Sequence, residues 1–201
     1  MAVFRDILGF SLLITVLPSL ALEYEVTPFH ISMISAINGV FSFISAPIWG
    51  YLSDKFGRKP MLLLSQLGTI TGFIILGLAG NIWVLGISRV VDGIFGGNFP
   101  ISKAVINDVV EPKEMAKELT TIGVAHNVSN LFGPALGGFL FARFGLLGPG
   151  LVSAVLASIS FITTWIFLEE TAPTQVGTET KENTISTLNI LSSGTSKTNQ
   201  R

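Results

Sequence analysis

Long apolar stretches alternate with short polar connections along most of the chain. Each of the six stretches is close to the roughly 20 residues that an α-helix needs to cross a bilayer. We therefore predict an all-α, polytopic membrane domain over residues 1–170, with transmembrane helices at about residues 4–22, 31–52, 60–79, 82–105, 119–141 and 150–168.

After the last apolar stretch the composition changes. Residues 171–201 contain twelve serines and threonines. Such a segment does not bury enough apolar surface to offset the entropy lost on ordering. It predicts a disordered cytoplasmic tail or linker.

The overall composition agrees with a membrane protein. Of 201 residues, 49% are hydrophobic and 12% charged, and the mean hydropathy is +0.64; soluble domains have about 25% charged residues. The net charge is −1, so the sequence lacks the excess of basic residues that is typical of nucleic-acid-binding proteins. The absence of cysteine excludes disulfides and thiolate metal sites. With no phosphate-binding loop, metal cluster or nucleophile–base pair in the sequence, we predict no enzyme activity and no cofactor.

Basic residues give the orientation, because lysine and arginine collect on the cytoplasmic side of membrane proteins. Only Arg143 lies on one side of the predicted bundle. The other side collects Arg5, Lys55, Arg58, Lys59, Lys103, Lys113, Lys117 and Lys181. We predict that both termini are cytoplasmic, in a plasma or organelle membrane.

The loop Gly50–Lys59, between the second and third stretches, is the most distinctive motif. Charge alone would also fit an ordinary cytoplasmic loop. Its spacing, however, resembles the signature loop between helices 2 and 3 of the major facilitator superfamily of transporters, through Gly50, Leu52, Asp54, Gly57, Arg58 and Lys59. The resemblance implies half of a twelve-helix fold that works by alternating access.

A possible internal sequence repeat is consistent with this family. The segment Gly50–Gly57 recurs 88 residues later as Gly138–Gly145, with glycine, leucine, a basic residue, phenylalanine and glycine in register. Three spans per copy would place the two loops on opposite faces of the membrane. We predict two inverted three-helix repeats, with a chance match as the alternative.

Two ionisable residues, Arg89 and Asp92, lie within the fourth stretch and on one helix face. Ionisable groups at membrane depth are costly and mark candidate functional sites. A local ion pair that steadies the bundle is the plainer interpretation. The run Arg89-Val-Val-Asp92-Gly93 resembles the Arg-x-x-Gln-Gly motif of proton-coupled facilitators, with aspartate where glutamine is usual. The resemblance implies a role in proton coupling.

Other candidate site residues form three groups. The element Gly133, Pro134, Gly137 and Gly138 permits close packing and a bend, and it resembles the helix-5 element of the antiporter branch. Asp108 is expected to meet Arg58 and Asp54 at the cytoplasmic face, where the resemblance implies a gate. Neutral polar residues inside the spans are interhelical hydrogen-bond formers or cavity-lining groups: Asn38, Asn98, His126 and Asn127.

Most of residues 4–170 resembles the N-terminal half of drug/proton antiporters of the tetracycline-efflux type. The implied function is secondary active transport, with protons exchanged for a small organic molecule. The stretch Thr69–Gly72 has no acidic residue where the tetracycline pumps carry one, so tetracycline itself is not predicted. The expected partners are the lipid bilayer and a C-terminal six-helix half or a second copy. A fragment is favoured over a self-sufficient half; the alternative function is a non-transporting protein that regulates a full-length relative.

Overall fold

The computed structural model describes residues 7–9, 11–12 and 16–169, without the side chains of residues 17, 18, 22 and 28. The start of the first predicted helix and the predicted tail at 171–201 therefore lie outside the described residues. Residues 7–9 and 11–12 are helical. Seven further helices follow: α1 (Leu17–Glu23), α2 (Pro28–Phe56), α3 (Arg58–Gly77), α4 (Ile82–Ile94), α5 (Asn98–Val109), α6 (Met115–Phe144) and α7 (Leu147–Phe167).

The described part of the chain contains helices and no strands, as predicted. Three of its helices are long and apolar enough to cross a membrane: Phe29–Phe56, Arg58–Gly77 and Leu147–Phe167. The described part of the chain is therefore all-helical, with apolar helices long enough to cross a membrane.

The fourth predicted helix, at residues 82–105, is wrong as a single element. The structure ends α4 at Ile94 and starts α5 at Asn98. The reason lies in the glycines of this stretch. An added Cβ at Gly97 would lie 2.6 Å from Cγ of Trp49, and one at Gly96 would lie 2.9 Å from Oγ of Ser42. The backbone at the break thus approaches α2 more closely than any larger residue would allow.

Local sequence signals account for the helix ends. Proline opens α2, at a position where its missing N–H costs little. Gly57 ends α2 with φ 104°, a conformation that favours glycine. At the start of α4, the side-chain oxygen of Asn81 accepts a hydrogen bond from the backbone N–H of Val84 at 2.9 Å, which satisfies one of the free donors of a helix N-terminus.

Glycine contacts bring α3 and α7 together. An added Cβ at Gly77 would lie 3.3 Å from Cα of Gly150, and one at Gly150 would overlap Cα of Gly77. Beyond this contact, Nε2 of Gln66 donates to Oγ1 of Thr164 at 3.1 Å. Because lipid removes most of the hydrophobic drive between helices, such close packing and interhelical hydrogen bonds hold the bundle together.

We predict that Gly150→Ala destabilises the folded protein by about 1–3 kcal/mol, the usual cost of overpacking. The added methyl group would meet the backbone of Gly77 on α3. Because Gly77 has no side chain, there is no flexible group at this contact that could move aside. The melting temperature in detergent measures the effect. Gly86→Ala is the matched control, because a Cβ there meets nothing within 4 Å; equal melting temperatures for the two variants would contradict the packing argument.

Candidate functional site

The buried charge pair lies on α4. Nη1 of Arg89 is 3.4 Å from Oδ2 of Asp92, and the two residues are only 2% and 8% exposed. Asn38 on α2 donates through Nδ2 to Oδ2 of Asp92 at 3.0 Å and to the backbone oxygen of Arg89 at 3.1 Å. Within the described residues, Nη2 of Arg89 has no hydrogen-bond partner. The pair is therefore held by a second helix rather than being purely local.

A cavity of about 340 Å³ opens beside this pair. Asp92 lies in its wall, whereas Arg89 is not one of the lining residues. The candidates Asn38, Asn98 and His126 also line the cavity; Asn127 does not. The remaining wall mixes small polar and apolar groups: Ile7, Ser42, Thr69, Phe73, Gly96, Phe99 and Ser102.

The predicted cytoplasmic cluster assembles around Arg58, which is 6% exposed. Its Nε donates to Oδ2 of Asp108 at 2.9 Å, and its Nη1 is 2.5 Å from Oδ1 of Asp54. Nη1 also donates to Oγ of Ser53 at 2.7 Å. The turn at Gly57 allows α3 to start with Arg58 facing the bundle. The cluster thus joins the end of α2, the start of α3 and the end of α5.

The other residues of the signature loop differ in their surroundings, and Gly57 is buried. Lys59 is half-buried. A Cβ at Gly50 would meet no atom within 4 Å. The structure therefore brings Asp54, Arg58 and Asp108 together, and it assigns Gly50 no close packing among the described residues.

The glycines of the helix-5 element have different environments. Pro134 lies inside α6. An added Cβ at Gly133 would overlap Oγ of Ser11, and one at Gly137 would overlap the backbone oxygen of Leu12. At Gly138 a Cβ would meet nothing within 4 Å. Two of the three glycines therefore seat the first apolar stretch against α6, and the third does not take part.

Besides the candidate Asn38, three residues on the same face of α2 were missed by sequence reasoning: Ser45, Trp49 and Ser53. We call these four residues the α2 polar stripe. Spacings of seven, four and four residues place them on one helix face. Asn38 bonds to the charge pair, and Ser53 accepts a hydrogen bond from Arg58. Between them, Oγ of Ser45 donates to the backbone oxygen of Gly93 at 2.9 Å, and Nε1 of Trp49 to that of Ile94 at 2.7 Å. The helical spacing of polar residues within an apolar stretch is the signal that could have revealed the stripe.

The chain belongs to the Major Facilitator Superfamily, whose family model matches residues 1–196. This result confirms the family suggested by the signature loop. Members of this family are transporters rather than enzymes.

Relatives and solved structures agree with this assignment. The chain is 29% identical to the class B tetracycline resistance protein of Escherichia coli over 189 residues, which cover 90% of the chain and 47% of the relative. It is 36% identical to the multidrug resistance protein MdtG of Proteus mirabilis over 167 residues, 81% of the chain and 42% of the relative. The chain thus spans less than half the length of these curated relatives.

Among solved structures, the human organic anion transporter MFSD10 superimposes with a TM-score of 0.74 at 25% identity, over 86% of the chain and 46% of that protein. The proton:xylose symporter XylE superimposes with a TM-score of 0.65 at 20% identity, over 85% of the chain and 39% of the symporter. The second likeness shows the shared fold.

We predict that Asn38→Leu destabilises the protein by about 1–3 kcal/mol, because a similarly sized apolar side chain leaves buried acceptors on α4 without their donor. Thermal unfolding in detergent measures the loss. Asn130→Leu is the control, since Asn130 is exposed on α6. A loss at Asn38 no larger than the loss at Asn130 would show that the interhelical bonds contribute little.

Proposed function

We propose that the protein is a secondary active transporter, or half of one, that exchanges protons for a small organic molecule by alternating access. The observation that carries the proposal is a buried arginine–aspartate pair whose carboxylate lines a cavity. Ionisable groups inside a membrane are expensive to keep, and a purely structural pair would have no need of a cavity beside its carboxylate.

Asp92 is the proposed proton acceptor. As a carboxylate it is attracted to Arg89 and accepts a hydrogen bond from Asn38. Protonation removes its charge and with it the attraction to Arg89, so one proton changes both the polarity of the cavity wall and the partners available to the guanidinium. The proton therefore alters the same surface that a substrate would contact.

The cavity favours a small molecule with both apolar and polar groups. Phe73 and Phe99 offer aromatic surface, while Asn98 and Thr69 are joined by a hydrogen bond of 3.3 Å between Nδ2 and Oγ1. Named relatives confer resistance to tetracycline or to several drugs, and one structural neighbour carries organic anions. We propose drug-like efflux without assigning tetracycline, because the stretch Thr69–Gly72 contributes no carboxylate.

The geometry supports the proposed six spans in two inverted repeats. Gly57 ends α2 with φ 104°, and Gly145, 88 residues later, ends α6 with φ 60°. Shifting α2 (Pro28–Phe56) by the same 88 residues gives 116–144, against Met115–Phe144 for α6. One proposed repeat then comprises the first stretch, α2 and α3, and the other comprises the broken α4–α5 unit, α6 and α7.

We further propose a partner for the open side of the bundle. Phe43 and Tyr51 on α2 are strongly exposed, and the chain covers less than half of its relatives. A C-terminal six-helix half or a second copy would cover this side.

The alternative is a non-transporting protein that associates with a full-length relative and regulates it. In either case residues 171–201 are proposed as a cytoplasmic tail or central linker, with both termini on the cytoplasmic side.

The decisive experiment is proton-gradient-driven flux in proteoliposomes, with ethidium and a panel of amphipathic drugs as substrates. We expect flux that falls to background in Arg89→Ala, because the variant removes the partner of Asp92. Arg143→Ala is the matched control: it removes the same charge from an exposed position on α6. Absence of flux from well-folded protein would contradict self-sufficient transport and favour either a fragment that requires its C-terminal half or the regulatory alternative.

A second variant tests the gate. Arg58→Glu replaces the shared donor of Asp54 and Asp108 with a third carboxylate, so like charges would repel where the three helices meet. We expect strongly reduced flux at normal expression and folding. Arg143→Glu makes the same charge change away from the cluster and should transport normally. Unchanged flux in Arg58→Glu would remove the gate assignment.

A further inference from the structure

The break at Phe95–Gly97 lies between the two parts of the proposed transport machinery. Helix α4, before the break, carries Arg89 and Asp92. Helix α5, after the break, carries Asp108, which is bound to Arg58. Any movement that links the charge pair to the gate along this segment therefore passes through the break.

Three side chains satisfy the backbone carbonyls at the end of α4. The oxygens of Gly93 and Ile94 accept from Ser45 and Trp49 of the α2 polar stripe, and the oxygen of Phe95 accepts from Oγ of Ser65 on α3 at 2.5 Å. Inside a bilayer, a broken helix is tolerated where its backbone is buried in protein or lines a cavity, and here the protein supplies side-chain partners. Donors on the neighbouring helices α2 and α3 thus stabilise the interrupted form of the segment.

Trp49 contacts the break and the residue before it. Besides its bond to Ile94, its ring centroid lies 6.0 Å from that of Phe95, and the missing side chain of Gly97 leaves the space that the indole occupies. The residue is 7% exposed. One side chain therefore contacts the last residue of α4, the break itself and the residue before α5.

The two helices on either side of the break have different anchors. Helix α4 is bound to α2 through Asn38, Ser45 and Trp49. Helix α5 is held by the ion pair between Arg58 and Asp108, by the bond from Asn98 to Thr69 and, close to the break, by the burial of Ile101 against Trp49 and Leu62. Release of the ion pair would free the far end of α5 while leaving α4 fixed on α2.

We propose that Phe95–Gly97 is a hinge about which α5 moves against a fixed α2–α4 pair, and that Trp49 is the positioning residue that sets the bend. The inference rests on the proposed transport function for its purpose, because the hinge would pass changes at the charge pair to the gate.

Distances between spin labels test the hinge directly, because the chain has no native cysteine. One label pair, Tyr51→Cys with Val109→Cys, reports on the gate ends of α2 and α5; a second, Val40→Cys with Ile87→Cys, reports on α2 and α4. All four positions are exposed. In nanodiscs, Asp108→Ala should add a longer distance of several ångströms for the first pair and leave the second unchanged. Equal changes in both pairs would show a rigid α4–α5 rod, and no change in either would show that there is no hinge.

Substitution of Trp49 tests its role. Trp49→Phe keeps a ring but removes the donor to Ile94, and it should produce the longer distance for the first pair even with Asp108 intact. Trp83→Phe, at an exposed tryptophan, should not. Ser45→Ala removes the neighbouring donor with little change in volume and should act in the same direction, which keeps the test valid if Trp49→Phe folds poorly. Unchanged distances in folded Trp49→Phe and in Ser45→Ala would overturn the positioning role.

These measurements separate the hinge from the transport proposal, because label distances require no flux. A hinge in a protein without flux would contradict self-sufficient transport alone. Flux with fixed label distances would contradict the hinge alone.

Discussion

The fold depends on one constraint: inside a bilayer, the backbone polar groups must find their partners within the protein. The α2 polar stripe meets this constraint for the fourth apolar stretch. Its donors Ser45 and Trp49 bond the carbonyls of Gly93 and Ile94 where α4 ends, and Ser65 on α3 bonds the carbonyl of Phe95. The cavity lies at the same level, between residues on both sides of the break. The presence of a cavity and the satisfaction of the backbone are therefore two aspects of one arrangement.

The fold also requires helices to approach each other closely, and glycine makes this possible. Where helices cross at Gly77 and Gly150, or where the first stretch meets α6 at Gly133 and Gly137, backbone atoms touch with no side chain between them. Elsewhere glycine has no packing role that the described residues show, as at Gly138. A glycine-rich motif thus contains positions with unequal structural importance, and only the contacts distinguish them.

Much of the fold was predictable from sequence because hydropathy reports directly on the bilayer. The apolar stretches, the signature loop and the pairing of Arg58 with Asp108 all follow from local patterns or from the family resemblance. The break at Phe95–Gly97 did not follow, because its apolar residues continue the pattern of a single span. Its cause is tertiary: donors on α2 and α3 that lie 30 to 48 residues away in sequence. The placement of Asp92 in the cavity wall, with Arg89 outside that wall, likewise depends on helix rotation, which spacing alone does not determine.

The ion pairs of Arg58 with Asp54 and Asp108 have a consequence for the proposed balance between two conformations. Asp54 remains well exposed and Asp108 partly so, and ion pairs in contact with water are commonly worth under about 1 kcal/mol. A difference of about 1 kcal/mol corresponds to a ratio of roughly five between two states, since about 1.4 kcal/mol gives a factor of ten. Such a cluster biases an equilibrium without fixing it. Both conformations would then be populated at rest, and a single bound proton or substrate molecule would be enough to reverse which of them is the majority form.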